Sequence, residues 1–246
     1  MLAYTGIWFF GRRQLLAGNF KDEFLLMLIG VTGGSLYFIT ENTALEITLA
    51  SNVALLVCTA PIFTVIFSRL FLKSEKLNRY FWQGSLLALT GVTFVVFNGH
   101  FVLKINSLGD ILCLLAALSW AFYTILLKRL GNRYSTLFIT RKVFFYGIFT
   151  LLPLFLYKPL NVDTEILMQP VVWINLLYLG IVASLLCYFL WNTAVKMLGA
   201  VRTSNYIYFI PLVTLLTSAI VIGETITLIA ITGALLILTG VALAER

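Results

Sequence analysis

Two stretches of this chain read almost as one sentence written twice: residues 42–61, NTALEITLASNVALLVCTAP, and residues 192–211, NTAVKMLGAVRTSNYIYFIP. Asn42-Thr43-Ala44 returns as Asn192-Thr193-Ala194, Ala50 as Ala200 and Pro61 as Pro211, each 150 residues later. Past the prolines the offset becomes 149: Glu75 pairs with Glu224, Gly84 with Gly233 and Gly91 with Gly240. Self-similarity at a fixed period marks a chain built from copies of one unit. What that unit is follows from what surrounds it.

Both stretches lie in a chain of 246 residues that is 61% hydrophobic and only 11% charged, with a mean hydropathy of +0.99. A water-facing surface needs about 25% charged residues, so most of this protein must face lipid. Asp, Glu, Lys and Arg are absent from 24–40, 47–68, 80–103, 111–127, 143–157, 166–195, 203–223 and 225–244. About 20 apolar residues of helix cross a hydrocarbon core. The short run 143–157 suffices if Lys142 extends its amine to the interface. Helices are therefore expected near 24–41, 47–70, 79–99, 108–130, 140–157, 171–191, 202–221 and 226–244, with a partial one at 2–16.

The net charge of +7 does not mark a nucleic-acid binder, because the basic residues fall in short loops rather than on one face. Basic residues gather on the cytoplasmic side of membrane proteins. With Arg12 and Arg13 placed inside and every span flipping sides, fifteen of the 17 Lys and Arg fall inside, and only Lys104 and Lys158 outside. The expected protein is multi-pass in a bacterial inner membrane, with its C-terminus in the cytoplasm.

Between Asn42 and Asn192 the chain crosses the bilayer five times. An odd count reverses the direction of every equivalent helix, so the halves are inverted repeats about an axis in the membrane plane. The expectation is an all-α transmembrane bundle of two inverted five-helix repeats, residues 1–104 and 105–246. A partner for the helix at 108–130 would lie before Met1. About nine of ten helices are thus expected here, the first partial; a start further upstream or a partial sequence is expected ahead of the alternative, a working nine-helix variant.

This pattern resembles the EamA-type members of the drug/metabolite transporter superfamily. The resemblance is carried by the stretches ending in Pro61 and Pro211, by Ser74-Glu75 and Gly223-Glu224, and by the Gly-x6-Gly helices Gly84/Gly91 and Gly233/Gly240. It is carried also by Gly109-Asp110 through Leu118-Ser119-Trp120-Ala121 to Lys128-Arg129. It covers essentially the whole chain, with Ser74 departing from the usual glycine. It implies ten helices and the export or exchange of amino acids or related metabolites by alternating access, and leaves dimerisation open.

A carrier needs polar groups inside the bilayer. Tyr37, Asn52, Trp120, Tyr123, Tyr188, Trp191, Asn192, Asn205 and Tyr206 are the candidates for lining a solute cavity through hydrogen bonds and ring faces. Each has a plainer reading as an interfacial anchor or interhelical bond. No charged residue sits at the middle of a span, which argues against a fixed intramembrane carboxylate; Glu41, near the end of its span, is the nearest. Pro61 and Pro211 each remove a helical N–H and are candidate matched hinges, or static kinks. The four paired glycines allow close helix approach, and Glu75 and Glu224 are expected to cap helix ends.

Cys58, Cys113 and Cys187 have no metal-site spacing, His100 stands in a loop, and no cofactor or metal is expected. An intramembrane enzyme would need a Ser/His pair, paired Asp or HExxH, which the sequence lacks. A structural subunit or non-transporting fragment is the remaining alternative.

Overall fold

The computed structural model describes residues 16–72, 79–98, 106–157, 165, 168–221, 223 and 225–246, with the backbone alone at 155 and 157. The segment 2–11, His100, Glu75 and Glu224 lie outside the described residues, and the capping expected of the two glutamates lies there with them. The fold is all-α. Among the described residues eight apolar helices run in order: α1 Phe20–Ile47, α2 Ala50–Leu72, α3 Phe81–Phe97, α4 Ser107–Leu130 and α5 Thr136–Tyr157. They continue with α6 Pro170–Leu198, α7 Ala200–Val221 and α8 Leu228–Glu245. Seven are long and apolar enough to cross a membrane, and α3 is a shorter apolar helix.

The helices overrun the uncharged stretches. α1 starts where Asn19 accepts a hydrogen bond from the Asp22 N–H at 2.7 Å, with Asp22 and Glu23 in its first turn, where the helix dipole favours acids. It continues past Glu41 to Ile47. Nothing in a carboxylate or an amide forbids helix, so charge marks the edge of the lipid and not the end of the hydrogen-bonded turns. α6 likewise continues past residue 191 to Leu198 and stops at Gly199, whose φ of +96° lies where only glycine is unstrained.

The 150-residue repeat is also one of backbone form. α1 carries a π-helical stretch at Val31–Leu36, and α6 carries one at Tyr178–Leu186. α1 breaks at Thr48 before α2, and α6 breaks at Gly199 before α7. α2 is interrupted between Val57 and Ala60, and α7 tightens to a 3₁₀ turn at Tyr206–Phe209. Pro61 and Pro211 each follow that interruption, in the first turn of the resuming helix, where a missing N–H costs nothing.

The chain forms two compact units, residues 1–35 with 126–197, and residues 36–125 with 198–246. In the first, α1 packs on α5 through small residues. A Cβ added at Gly34 would stand 3.0 Å from the Gly147 Cα, and one at Gly30 would meet the Tyr146 Cβ. Thr150 donates to the Ser35 hydroxyl at 2.7 Å. Glu23 accepts from Lys142 and Tyr146, and Asp22 from Arg133 and, at 2.9 Å, from Tyr134.

In the second unit α3 and α8 run antiparallel in close contact. A Cβ at Gly84 would lie 2.5 Å from the Gly240 carbonyl, and one at Gly91 2.5 Å from that of Gly233. By the repeat, Gly84 is equivalent to Gly233 and Gly91 to Gly240. The contact Gly84–Gly240 therefore maps onto Gly233–Gly91, which is the other observed contact. Such exchange is what a local two-fold between reversed helices requires.

Candidate functional site

The second unit carries a half-open cavity of about 470 Å³, within the range of small-molecule sites. Its walls come from four helices. α1 gives Tyr37, Glu41 and Leu45; the start of α2 gives Ala50, Ser51, Val53, Ala54, Val57 and Cys58. The end of α3 adds Val95, Val96 and Asn98, and α7 adds Ile210, Pro211, Thr214, Leu215 and Ser218.

Helical geometry aims the α1 residues at one place. Tyr37, Glu41 and Leu45 recur every four residues and so share a face. The Tyr37 hydroxyl donates to Glu41 Oε1 at 2.8 Å. Behind it the Tyr37 ring lies 4.9 Å from the Trp120 ring, and Trp120 lies 5.2 Å from Tyr123. Three predicted residues thus form one cluster of tilted aromatic rings, spaced as such pairs prefer, with Tyr37 at the wall and Tyr123 fully buried.

Asn98 closes α3 in the left-handed region, φ +41°, a conformation that asparagine tolerates. Its amide donates to the Thr225 carbonyl at 3.0 Å, and its Oδ1 accepts from the Thr227 hydroxyl at 2.7 Å. Thr227 in turn caps α8. Pro211 belongs to the wall, and the N–H it lacks leaves no donor for the cavity to satisfy.

The other predicted residues stand elsewhere. Asn52 is buried one turn into α2, its amide 3.5 Å from the Thr48 hydroxyl. Asn205 is 1% exposed on α7, and neither its amide nitrogen nor its oxygen finds a partner among the described residues. Tyr206 faces outward, with its hydroxyl 3.4 Å from Glu245. Tyr188, Trp191 and Asn192 belong to the first unit. There Tyr188 donates to the Gly33 carbonyl, its ring 5.3 Å from that of Phe144. Asn192 is fully buried and donates to Thr140 at 2.9 Å, and Trp191 is half-buried.

Sequence reasoning names Glu41, near a span end, as the nearest candidate for an intramembrane carboxylate and leaves it out of the cavity lining. The structure sets it on the cavity wall, because α1 continues six residues beyond it to Ile47. The i, i+4 spacing from Tyr37 was the available signal. Ser51, Asn98, Thr214 and Ser218 had none, since only packing identifies them. Among the described residues no cluster of His, Cys, Asp or Glu would hold a metal ion.

A multi-pass helical membrane protein with a solute-sized cavity of mixed polarity is the class these features define. The model of the EamA-like transporter family matches residues 1–97 and 107–245, and the chain belongs to that family. "Uncharacterized transporter YdfC" of Bacillus subtilis (strain 168) is 29% identical over 93% of this chain and 73% of its own length. "Probable amino-acid metabolite efflux pump" of Salmonella typhimurium is 27% identical over 98% of this chain and 80% of its own. "Probable terminal-alkyne amino-acid exporter" of Streptantibioticus cattleyicolor is 27% identical over 92% and 74%. A solved crystal structure superposes with a TM-score of 0.76 at 19% identity, over 99% of this chain and 84% of that one. That likeness concerns the fold alone.

Proposed function

We propose that this membrane transporter exports small metabolites, amino acids or related solutes, across a bacterial inner membrane by alternating access. The observation that carries the reading is the cavity walled by Tyr37, Glu41, Asn98 and Pro211. Its volume suits a solute of amino-acid size, and its mixed lining holds such a solute by a few polar groups against an apolar wall. The names of the Salmonella and Streptantibioticus relatives support the solute class and the direction.

In this reading Tyr37 contacts the solute, with Trp120 and Tyr123 fixing the ring from behind. The interruptions before Pro61 and Pro211 are the flexing points, since a helix without its i to i−4 bonds bends there at least cost. Basic-residue bias places the C-terminus inside, which puts Asn98 and the cavity end of α1 on the outer side.

The test is counterflow in proteoliposomes preloaded with a panel of unlabelled amino acids and their derivatives. Accumulation of labelled solute against its gradient, driven only by unlabelled solute within, is the expected result. No exchange with any member of a broad panel, by protein shown to be folded, would reject the carrier reading.

A further inference from the structure

Among the described residues that line the cavity, Glu41 is the sole Asp or Glu, and Lys, Arg and His are absent. Glu41 is half-buried inside an apolar helix. A half-buried carboxylate on an apolar helix is costly unless a positive charge or water faces it. Its one described hydrogen bond comes from Tyr37, a neutral donor that orients the group and brings no positive charge.

Of the lining donors that could receive a solute carboxylate, Asn98 gives one amide N–H to the Thr225 carbonyl and Thr214 gives its hydroxyl to the Ile210 carbonyl at 3.0 Å, which leaves the second Asn98 N–H and the neutral hydroxyls of Ser51 and Ser218. The rest of the wall, from Val57 to Leu215, is mostly apolar. Counted over the described lining residues, a zwitterion in this cavity leaves the net charge at minus one, whereas a monocation brings it to zero.

We infer that the cavity takes a solute of net positive charge, an ammonium group on an apolar or aromatic body, with Glu41 as its counter-charge. The Tyr37 ring stands one helical turn away, placed to meet the same ammonium through its π face. The inference rests on the carrier reading for its biological meaning, since it narrows "amino acids or related solutes" to amines lacking a free carboxylate. As a statement about binding it stands alone.

The experiment separates the two. Phenethylamine and phenylalanine, which differ by the carboxylate, are titrated calorimetrically into the purified full chain in detergent, beside Glu41→Gln. Glu41→Gln keeps the size and the acceptor of the side chain, and its folding is checked by melting and gel filtration. The wild type is expected to bind the amine more tightly, and Glu41→Gln to lose about thirtyfold or more of that affinity, as for removal of one partner of a desolvated charge pair. Equal or tighter binding of phenylalanine, with its carboxylate taken up by the first turn of α2 beside Ser51, would overturn the inference. So would absence of amine binding by the wild type, whatever the state of the variant. Amine binding without counterflow would remove the carrier reading and leave the inference standing; counterflow of phenylalanine in preference to the amine would do the reverse.

Discussion

Two asparagines expected to behave alike meet opposite environments. Asn192 is fully buried and gives its amide to Thr140, an interhelical bond worth about 1 kcal/mol in membrane proteins. Asn205 is as deeply buried, without a partner among the described residues. An unsatisfied buried amide is a cost that an apolar residue of similar size removes. Asn192→Leu should therefore lower the melting temperature in detergent, while Asn205→Leu should leave it unchanged or raise it. Equal losses would show that Asn205 is paired after all. Trp120 poses a functional question at the same scale. Trp120→Ala removes the support behind Tyr37, so membrane insertion should stay at the wild-type level while solute exchange falls about tenfold, as for misplacement of a binding group. Unchanged kinetics would take Trp120 out of the site. Residue type and spacing were enough to nominate Tyr37, Trp120 and Tyr123, because aromatic rings within a span have few fates. They could not separate Asn192 from Asn205, since partnership across helices depends on packing that one sequence does not display.

Among the elements, the glycine seam between α3 and α8 and the ion pair between α1 and α5 hold by different physics. At the seam each backbone fills the space where the other's Cβ would be, within 2.5 to 2.7 Å of a carbonyl oxygen. Gly91→Val must push two helices apart, at about 1–3 kcal/mol or more, and the yield of monodisperse protein should fall with the melting temperature. Lys142 is 5% exposed beside Glu23 at 18%. Lys142→Met strands a buried carboxylate, a loss of about 3 kcal/mol. The double variant Glu23→Gln, Lys142→Met should recover part of it, because two neutral groups need no counter-charge. A double variant no better than Lys142→Met would show that the charges do not act as a pair. Charge-free runs revealed that the helices exist, and the spacing of Gly84, Gly91, Gly233 and Gly240 marked two faces open to close approach, while only the structure pairs them with each other. Helix ends and the π-helical stretches were hidden, because Glu41, Asn42 and Glu46 are as content in helix as in a loop. The contact of Gly30 and Gly34 with Gly147 was hidden too, since a glycine pair on one helix does not announce its partner on another.

At the scale of the whole molecule, the repeat and the compact units divide the chain differently. The sequence halves meet between α3 and α4, whereas each unit draws helices from both halves. That is what inverted copies produce when they exchange elements, and the Gly84–Gly240 and Gly91–Gly233 contacts show the exchange in one unit. The same inversion makes a prediction about sidedness. The α1–α2 junction at Thr48 and Leu49 and the α6–α7 junction at Leu198 and Gly199 are equivalent points of the repeat, and the sequence reading puts five crossings between them. Leu49 and Leu198 are both exposed on the protein surface, at 36% and 47%, so no protein atoms shield a cysteine at either. In a background with Cys58, Cys113 and Cys187 replaced, Leu49→Cys should label in intact cells with a membrane-impermeant maleimide. Leu198→Cys should label only after permeabilisation, because basic-residue bias puts that junction inside. The opposite pair of results would turn the molecule over while keeping its symmetry. Labelling of both cysteines from one side would require an even number of crossings between them, and two copies threaded in the same sense cannot be related by an axis in the membrane plane.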